Sequence, residues 1–208
     1  MPDPQANLQP ELYYHIYNHA VGRDNLFERE DDYIYFLKKL KEHVLPVSDI
    51  LSYCLLPNHF HLVVRIKDYK TVESFLKLKT GADKFEHKRK DNPDYLSEQI
   101  SKAYSNFFNT YAKHYNFVKS RGGTLFKRNF RRSKVEDMIY LRRLICYVHQ
   151  NPVAAGFSQR MERWKYSSYL ATISSQPTMI LRDEVIAFFG DLENLKYCHA
   201  KMEDLDIG

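Results

Sequence analysis

The 208-residue chain has a formal net charge of +5 and a hydrophobic content of 44%, enough apolar material for a proper core in one domain with an extension, and too much for a disordered chain. No apolar run approaches the roughly 20 residues that a membrane span requires. The start, MPDPQANLQPELYY, lacks the basic end and apolar centre of a signal peptide, so a cytoplasmic protein is expected.

In chain order, YYHIYNHAV (Tyr13–Val21) is rich in Tyr, Ile and Val and predicts a strand, with a turn at Gly22. From Glu30 to Val44, Ile34, Leu37, Leu40 and Val44 fall at helical spacing, and Pro46 ends that helix. Ile50–Pro57 and HFHLVVRI (His59–Ile66) read as two strands joined through Pro57-Asn58, a turn dipeptide. Val72–Leu78 looks helical. The charged stretch from Lys84 to Glu98 reads as a mobile loop or insertion, and Ile100–Tyr115 as a helix broken by Arg121–Gly123. Phe130–Glu136 suits a short strand. A strong helix runs from Asp137 to Gln150 and is expected to stop at Asn151-Pro152, and two more cover Asp183–Phe189 and Leu192–Lys201. This order predicts an α+β fold with a ferredoxin-like antiparallel sheet, helices packed on one face, and a further tyrosine-bearing helix. Residues 1–178 would form the main domain and 179–208 a helical C-terminal extension packed on it.

Charge is unevenly spread. Residues 77–143 hold 17 Lys/Arg against 7 Asp/Glu, whereas residues 183–208 hold 2 against 7. A basic stretch interleaved with Phe107, Phe108, Tyr111, Tyr115, Phe126 and Phe130 suits a polyanion with stackable bases, although a solvated basic helix face has the same composition. The three cysteines, Cys54, Cys146 and Cys198, are far apart and form no CxxC, so neither a disulfide framework nor a zinc–thiolate site is indicated. Cys54 and Cys146 are expected to pack as small hydrophobes.

The motif PNHFHLVV carries two imidazoles on alternate residues. Side chains alternate across a strand, so His59 and His61 share one face, while Phe60, Leu62, Val64 and Ile66 take the other, expected to be the core. Two imidazoles aimed away from a core can hold one divalent cation, but a bare pair is more often solvent-facing. A histidine-triad hydrolase would have a third histidine where Val63 stands, and a structural zinc site would bring cysteines. On the helix EDMIYLRRLICYVHQNP, Met138, Leu141, Leu144, Ile145 and Val148 form the apolar stripe. Tyr147 lies off it, with Tyr140, Arg143, Gln150 and Asn151 projecting nearby, and Asn151 stands one turn after Tyr147.

PNHFHLVV, then GTLFKRNFRR (Gly123–Arg132), YVHQNPVAAGF (Tyr147–Phe157) and WKYSSY (Trp164–Tyr169), resembles a REP-associated tyrosine transposase, an HUH single-strand transposase of the insertion-sequence 200/605 type. The opening YYHIYNHAVGRDNLF is similar to the family's first strand and turn. The resemblance implies an enzyme that cleaves and rejoins single-stranded DNA at hairpin-containing sites with an adjacent guide sequence. Tyr147 would be the nucleophile that forms a 5′-phosphotyrosine. His59, His61 and Asn151 would hold Mg²⁺ or Mn²⁺. Lys127, Arg128, Asn129, Arg131, Arg132 and Arg143 would contact DNA. Asn129 stands where the family usually has Arg. The resemblance leaves open a monomer or a homodimer, and a hairpin-binding protein without cleavage activity is the alternative.

Overall fold

The computed structural model describes residues 6–127 and 130–201. Four strands, β1 (Tyr13–His19), β2 (Ser48–Leu56), β3 (His59–Ile66) and β4 (Arg131–Lys134), form an antiparallel sheet in the order β2-β3-β1-β4. Helix α1 (Glu30–His43) joins β1 to β2. Helices α2 (Tyr69–Thr80), α3 (Ala82–Asp91) and α4 (Tyr95–Val118) lie between β3 and β4. This is the ferredoxin-like arrangement that the β-α-β-β order predicts. Helix α5 (Met138–Ala154) follows β4, and α6 (Tyr169–Ile173), α7 (Arg182–Phe188) and α8 (Leu192–Lys201) complete the described chain.

Both sheet faces are covered, each by its own core. Even-numbered residues of β1 and β3, among them Tyr14, Ile16, Phe60, Leu62 and Val64, pack with α1 and α4 through Phe36, Leu40, Tyr104, Phe107 and Tyr111. Phe60 meets Phe36 at 5.2 Å and Phe108 at 5.4 Å between ring centroids. The opposite face buries Leu51, Cys54, Leu56 and Val63 against Leu141, Leu144, Ile145, Cys146 and Val148 of α5, together with Val185 of α7, Phe189 just after it and Leu195 of α8. Cys54 and Cys146 are thus buried free thiols, raised by desolvation, Cys146 to about 12. The histidine-bearing face of β3 therefore does not look into solvent, because α5 covers it.

Several sequence expectations change at particular residues. The buried apolar stripe of α1 is Tyr33, Phe36 and Leu40, continued by Val44 at its C-cap, while Ile34 is 56% exposed. Met138 at the start of α5 is also exposed. The stretch expected as a loop from Lys84 is helical: Gly81, at φ +87, turns the chain from α2 into α3. Phe85 is the one buried residue of α3, and Glu86 pairs with Lys77 and Arg89. With a single apolar anchor, α3 shows no periodicity to read. Helix α5 does not stop at Pro152 but continues to Ala154. A proline so close to the end removes only one intrahelical hydrogen bond, and the Pro152 carbonyl accepts from the amides of Phe157 and Ser158.

A buried polar chain anchors α5 on its side away from the sheet's histidines. His199 Nδ1 contacts the Leu195 carbonyl at 2.8 Å, so it carries the proton. Its Nε2 then accepts from His149 Nδ1 at 2.8 Å, and His149 Nε2 accepts from the Ser168 hydroxyl at 2.7 Å. The Ser168 oxygen accepts from the Tyr53 amide of β2 at 2.8 Å. One tautomer satisfies every member, linking α8, α5 and the sheet. Replacing Ser168 with Ala leaves the His149 acceptor and the Tyr53 donor unmatched, and a stability loss of about 2 kcal/mol or more is expected in urea unfolding. Burial holds His199 down at about 4 and His149 well below its ordinary value. Both therefore stay neutral in the native state, whereas the unfolded chain takes up protons as pH falls below about 6.5. Stability is complete above that value. It should drop by about 1 kcal/mol per histidine between pH 7 and 5.5, read as a falling urea midpoint. A flat midpoint over this range would contradict the arrangement.

Candidate active site

β1 and β3 lie side by side, with Tyr17 opposite His61 and His19 opposite His59. The two-residue alternation of the strands then places His15, Tyr17 and His19 on the same face as His59 and His61. Helix α5 starts from a cap in which the Asp137 carboxylate accepts the Tyr140 amide at 2.7 Å, and it runs over that face. The result is a compact group of rings. His19 stacks on His59 at 4.6 Å, and His59 meets His61 edge-on at 5.1 Å. The Tyr147 ring meets His61 edge-on at 5.5 Å, within one chain.

The polar contacts are specific. His59 Nε2 lies 3.1 Å from Asn151 Oδ1, and His59 Nδ1 lies 2.8 Å from Asn58 Oδ1. His61 Nδ1 lies 2.9 Å from His15 Nε2. The Asn151 carboxamide also lies near enough to the Tyr147 phenol to act on it, so it neighbours both the tyrosine and His59. Asn151 is buried, and His61 is only 6% exposed.

Burial sets the protonation states. Desolvation depresses His59 to about 4, with the neighbouring His19 adding to the effect and Asn151 opposing it. His61 is pushed well below the ordinary range by burial, then by the imidazoles of His15, His59 and His19. His15 is lowered to about 3 by burial. His19 is lowered by burial, then by Lys127 and Arg131. The histidines are therefore neutral at physiological pH and have lone pairs to offer. The Tyr147 phenol is raised by burial, while the neighbouring Asn151 carboxamide pulls the other way.

A neutral His59 has one N–H but faces two carboxamide oxygens. When Nδ1 donates to Asn58, the Nε2 lone pair and Asn151 Oδ1 face each other with nothing between them. Their 3.1 Å separation is that of adjacent ligands on one ion, since two bonds of about 2.1 Å at a right angle span about 3.0 Å. His59 and Asn151 are thus spaced to fit a small divalent cation, and the His61 ring lies beside them, 5.1 Å from that of His59. Among the described residues, no three His, Cys, Asp or Glu side chains are arranged to hold a metal, and a carboxamide lies outside that class.

The other predicted residues separate. Arg131 is opposite Tyr17 in the β1–β4 register, on the histidine face, and is exposed. Lys127 is exposed, and both act electrostatically on His19. Arg143 is exposed one turn before Tyr147. Arg132 is opposite Ile16, on the other face, where it donates to the Ala6 carbonyl at 2.7 Å and lies over the Phe130 ring. It does not join the tyrosine and histidines. Arg128 and Asn129 lie outside the described residues. Gln150, expected beside Tyr147, instead donates to the His199 carbonyl. His15, Tyr17 and His19 were missed by sequence reasoning. Their alternation in YYHIYNH was the available signal, but it becomes informative only once β1 is known to neighbour β3.

A solved structure of a REP-associated tyrosine transposase bound to a REP hairpin matches this chain with a TM-score of 0.52 and 14% identity, covering 85% of this chain and 89% of that one. No protein-family model and no curated protein matches. At that identity the likeness is one of fold: this chain has the fold of a tyrosine transposase.

Proposed function

We propose that this chain is a metal-dependent single-stranded DNA transposase or endonuclease of the REP-associated tyrosine type, acting on hairpin-containing DNA through Tyr147 in cis. The observation that carries this reading is the convergence of Tyr147, Asn151, His59 and His61 at one place in one chain. The hairpin named with the structural neighbour supports the choice of DNA partner.

The Tyr147 oxygen attacks a backbone phosphorus. A new P–O bond forms to the phenol oxygen and the bond to the 3′ oxygen breaks. The phenol loses its proton and the departing 3′-OH gains one, so the step is proton-neutral overall. Phenolate is a better leaving group than an alkoxide, because its conjugate acid has a pKa near 10. A DNA 3′-OH can therefore reverse the link, which suits strand transfer better than hydrolysis. His59, His61 and Asn151 would hold Mg²⁺ or Mn²⁺, which supplies charge neutralisation and orientation at the phosphate. Asn151 also orients the phenol. Lys127, Arg131 and Arg143 are exposed on the side where the DNA backbone would approach.

The test is covalent trapping on a labelled hairpin oligonucleotide with Mg²⁺ or Mn²⁺. Wild type should form an adduct that resists denaturation, and Tyr147→Phe should form none while binding the hairpin as before. An undiminished adduct in Tyr147→Phe would remove the assigned nucleophile. Hairpin binding by wild type with no adduct under either ion would favour the binding protein without cleavage. Binding should also weaken by roughly 10³-fold or more between 50 and 200 mM salt if six or more phosphates are contacted. Nearly salt-independent binding would contradict the basic residues as the DNA path.

A further inference from the structure

We propose that His15 is the positioning residue of the site: it accepts the Nδ1–H of His61 and so reserves the His61 Nε2 lone pair for the cation. The inference rests on the metal-dependent reading above and deepens it. The geometry is that of an aligned hydrogen bond. The His15 and His61 rings are within 20° of parallel, their centroids are 5.1 Å apart, and His15 Nε2 to His61 Nδ1 is 2.9 Å. Each ring nitrogen stands about 1.1 Å from its own centroid, so the two nitrogens lie close to the line joining the rings. The contact is buried: His15 is 2% exposed and His61 6%.

A neutral imidazole can donate from one nitrogen and accept at the other, so this single contact decides the tautomer of both rings. If His15 Nε2 accepts, His15 carries its proton on Nδ1 and His61 carries its own on Nδ1. His61 Nε2 is then a free ligand. If His15 donates, His61 Nε2 is protonated and cannot bind a cation. Only the first arrangement is compatible with His61 as a ligand. Outer partners of this kind orient metal-binding histidines, and the partner is usually a carboxylate or a backbone carbonyl. A neutral imidazole in that role adds no negative charge. The site keeps an uncharged surround of His15, His59, His61 and Asn151, so a bound cation retains its full charge for the phosphate. Tyr17 stacks over both rings, 4.6 Å from His15 and 5.9 Å from His61 between centroids, and holds the pair in place.

The experiment uses the full chain and two substitutions. His15→Phe keeps a ring for Tyr17 to stack on but removes the acceptor. His15→Gln replaces it with a carboxamide oxygen that can accept. Folding of each is checked by circular dichroism and by hairpin binding in EDTA, which the site's tautomers do not govern. Mn²⁺ alone is the probe, titrated by the loss of its free-ion electron paramagnetic resonance signal. Wild type should bind one Mn²⁺, His15→Phe about 10- to 100-fold more weakly, and His15→Gln should recover most of the loss. Mn²⁺ binding by His15→Phe equal to wild type, or His15→Gln no better than His15→Phe, would overturn the assignment. Nitrogen-15 correlation spectra of the metal-free protein separate this failure from that of the parent reading. They should show His15 and His61 both as Nδ1–H tautomers. A His15 Nε2–H tautomer sinks the positioning role whether or not the protein cleaves DNA. Correct tautomers with no Mn²⁺ binding by wild type would overturn the role together with the metal-dependent reading.

Discussion

A β-strand presents its side chains to two faces in turn, and the covering of the second face by α5 is the constraint on which the site depends. Phe60 fills the core under α1 and α4, so His59 and His61 have to face the other way. Without α5 they would be two solvated imidazoles with ordinary protonation. With α5 above them, His61 is almost sealed, its neighbours are rings rather than water, and the carboxamide of Asn151 comes within reach of His59. The same helix that buries the histidines delivers the tyrosine. Burial and proximity are one event here, produced by Leu141, Leu144, Ile145 and Val148 packing on Leu51, Cys54, Leu56 and Val63.

Burial also decides what kind of site this can be. Desolvation disfavours every charged form, so it lowers the imidazoles and raises the phenol at once. A pocket of neutral histidines, a neutral amide and a neutral tyrosine has no charge of its own to hold a phosphate. The basic residues on this side stand exposed at its rim, with Arg131 on the β4 edge, Lys127 before it and Arg143 on α5. Attraction of a polyanion would then belong to the rim and chemistry to the interior. That division is consistent with Arg132 lying on the opposite face, bound to the Ala6 carbonyl and to the Phe130 ring.

Much of this was legible from spacing. The β-α-β-β order implied the sheet, the alternation in HFHLVV placed both histidines on one face, and the four-residue step from Tyr147 to Asn151 placed phenol and carboxamide on one side of a helix. Period alone does not say what covers a strand face, so the histidine face read as solvent-facing. Nor does it say which strand is the neighbour, so His15 and His19 stayed unremarked until the register set them beside His61 and His59. The loop expected at Lys84 failed for a related reason. Helix α3 is held by Phe85 alone and by ion pairs, a pattern that in sequence looks like any charged linker. The pull of Gln150 away from Tyr147 depended on α8, nearly fifty residues later in the chain.

The long-range link explains how Tyr147, on a lone helix, holds its position. A side-chain tip about 5–6 Å from a helix axis moves about 1 Å for every 10° of rotation, and a misplacement of that size can cost about a hundredfold in rate. Apolar packing resists such a rotation only weakly, since aliphatic contacts have no direction. Hydrogen bonds do. His149 projects roughly 160° around the helix from Tyr147, and it is bonded at both nitrogens, to Ser168 and to His199. Asn151, on the tyrosine's side, has its Oδ1 3.1 Å from His59 Nε2. Rotation of the helix strains the bonds of His149. Because Ser168 is itself bonded to the Tyr53 amide of β2, the far anchor refers the helix to the same sheet that carries the histidines. The tyrosine and the histidines thus share one frame, and the C-terminal helix α8, remote from the site, contributes to it through His199.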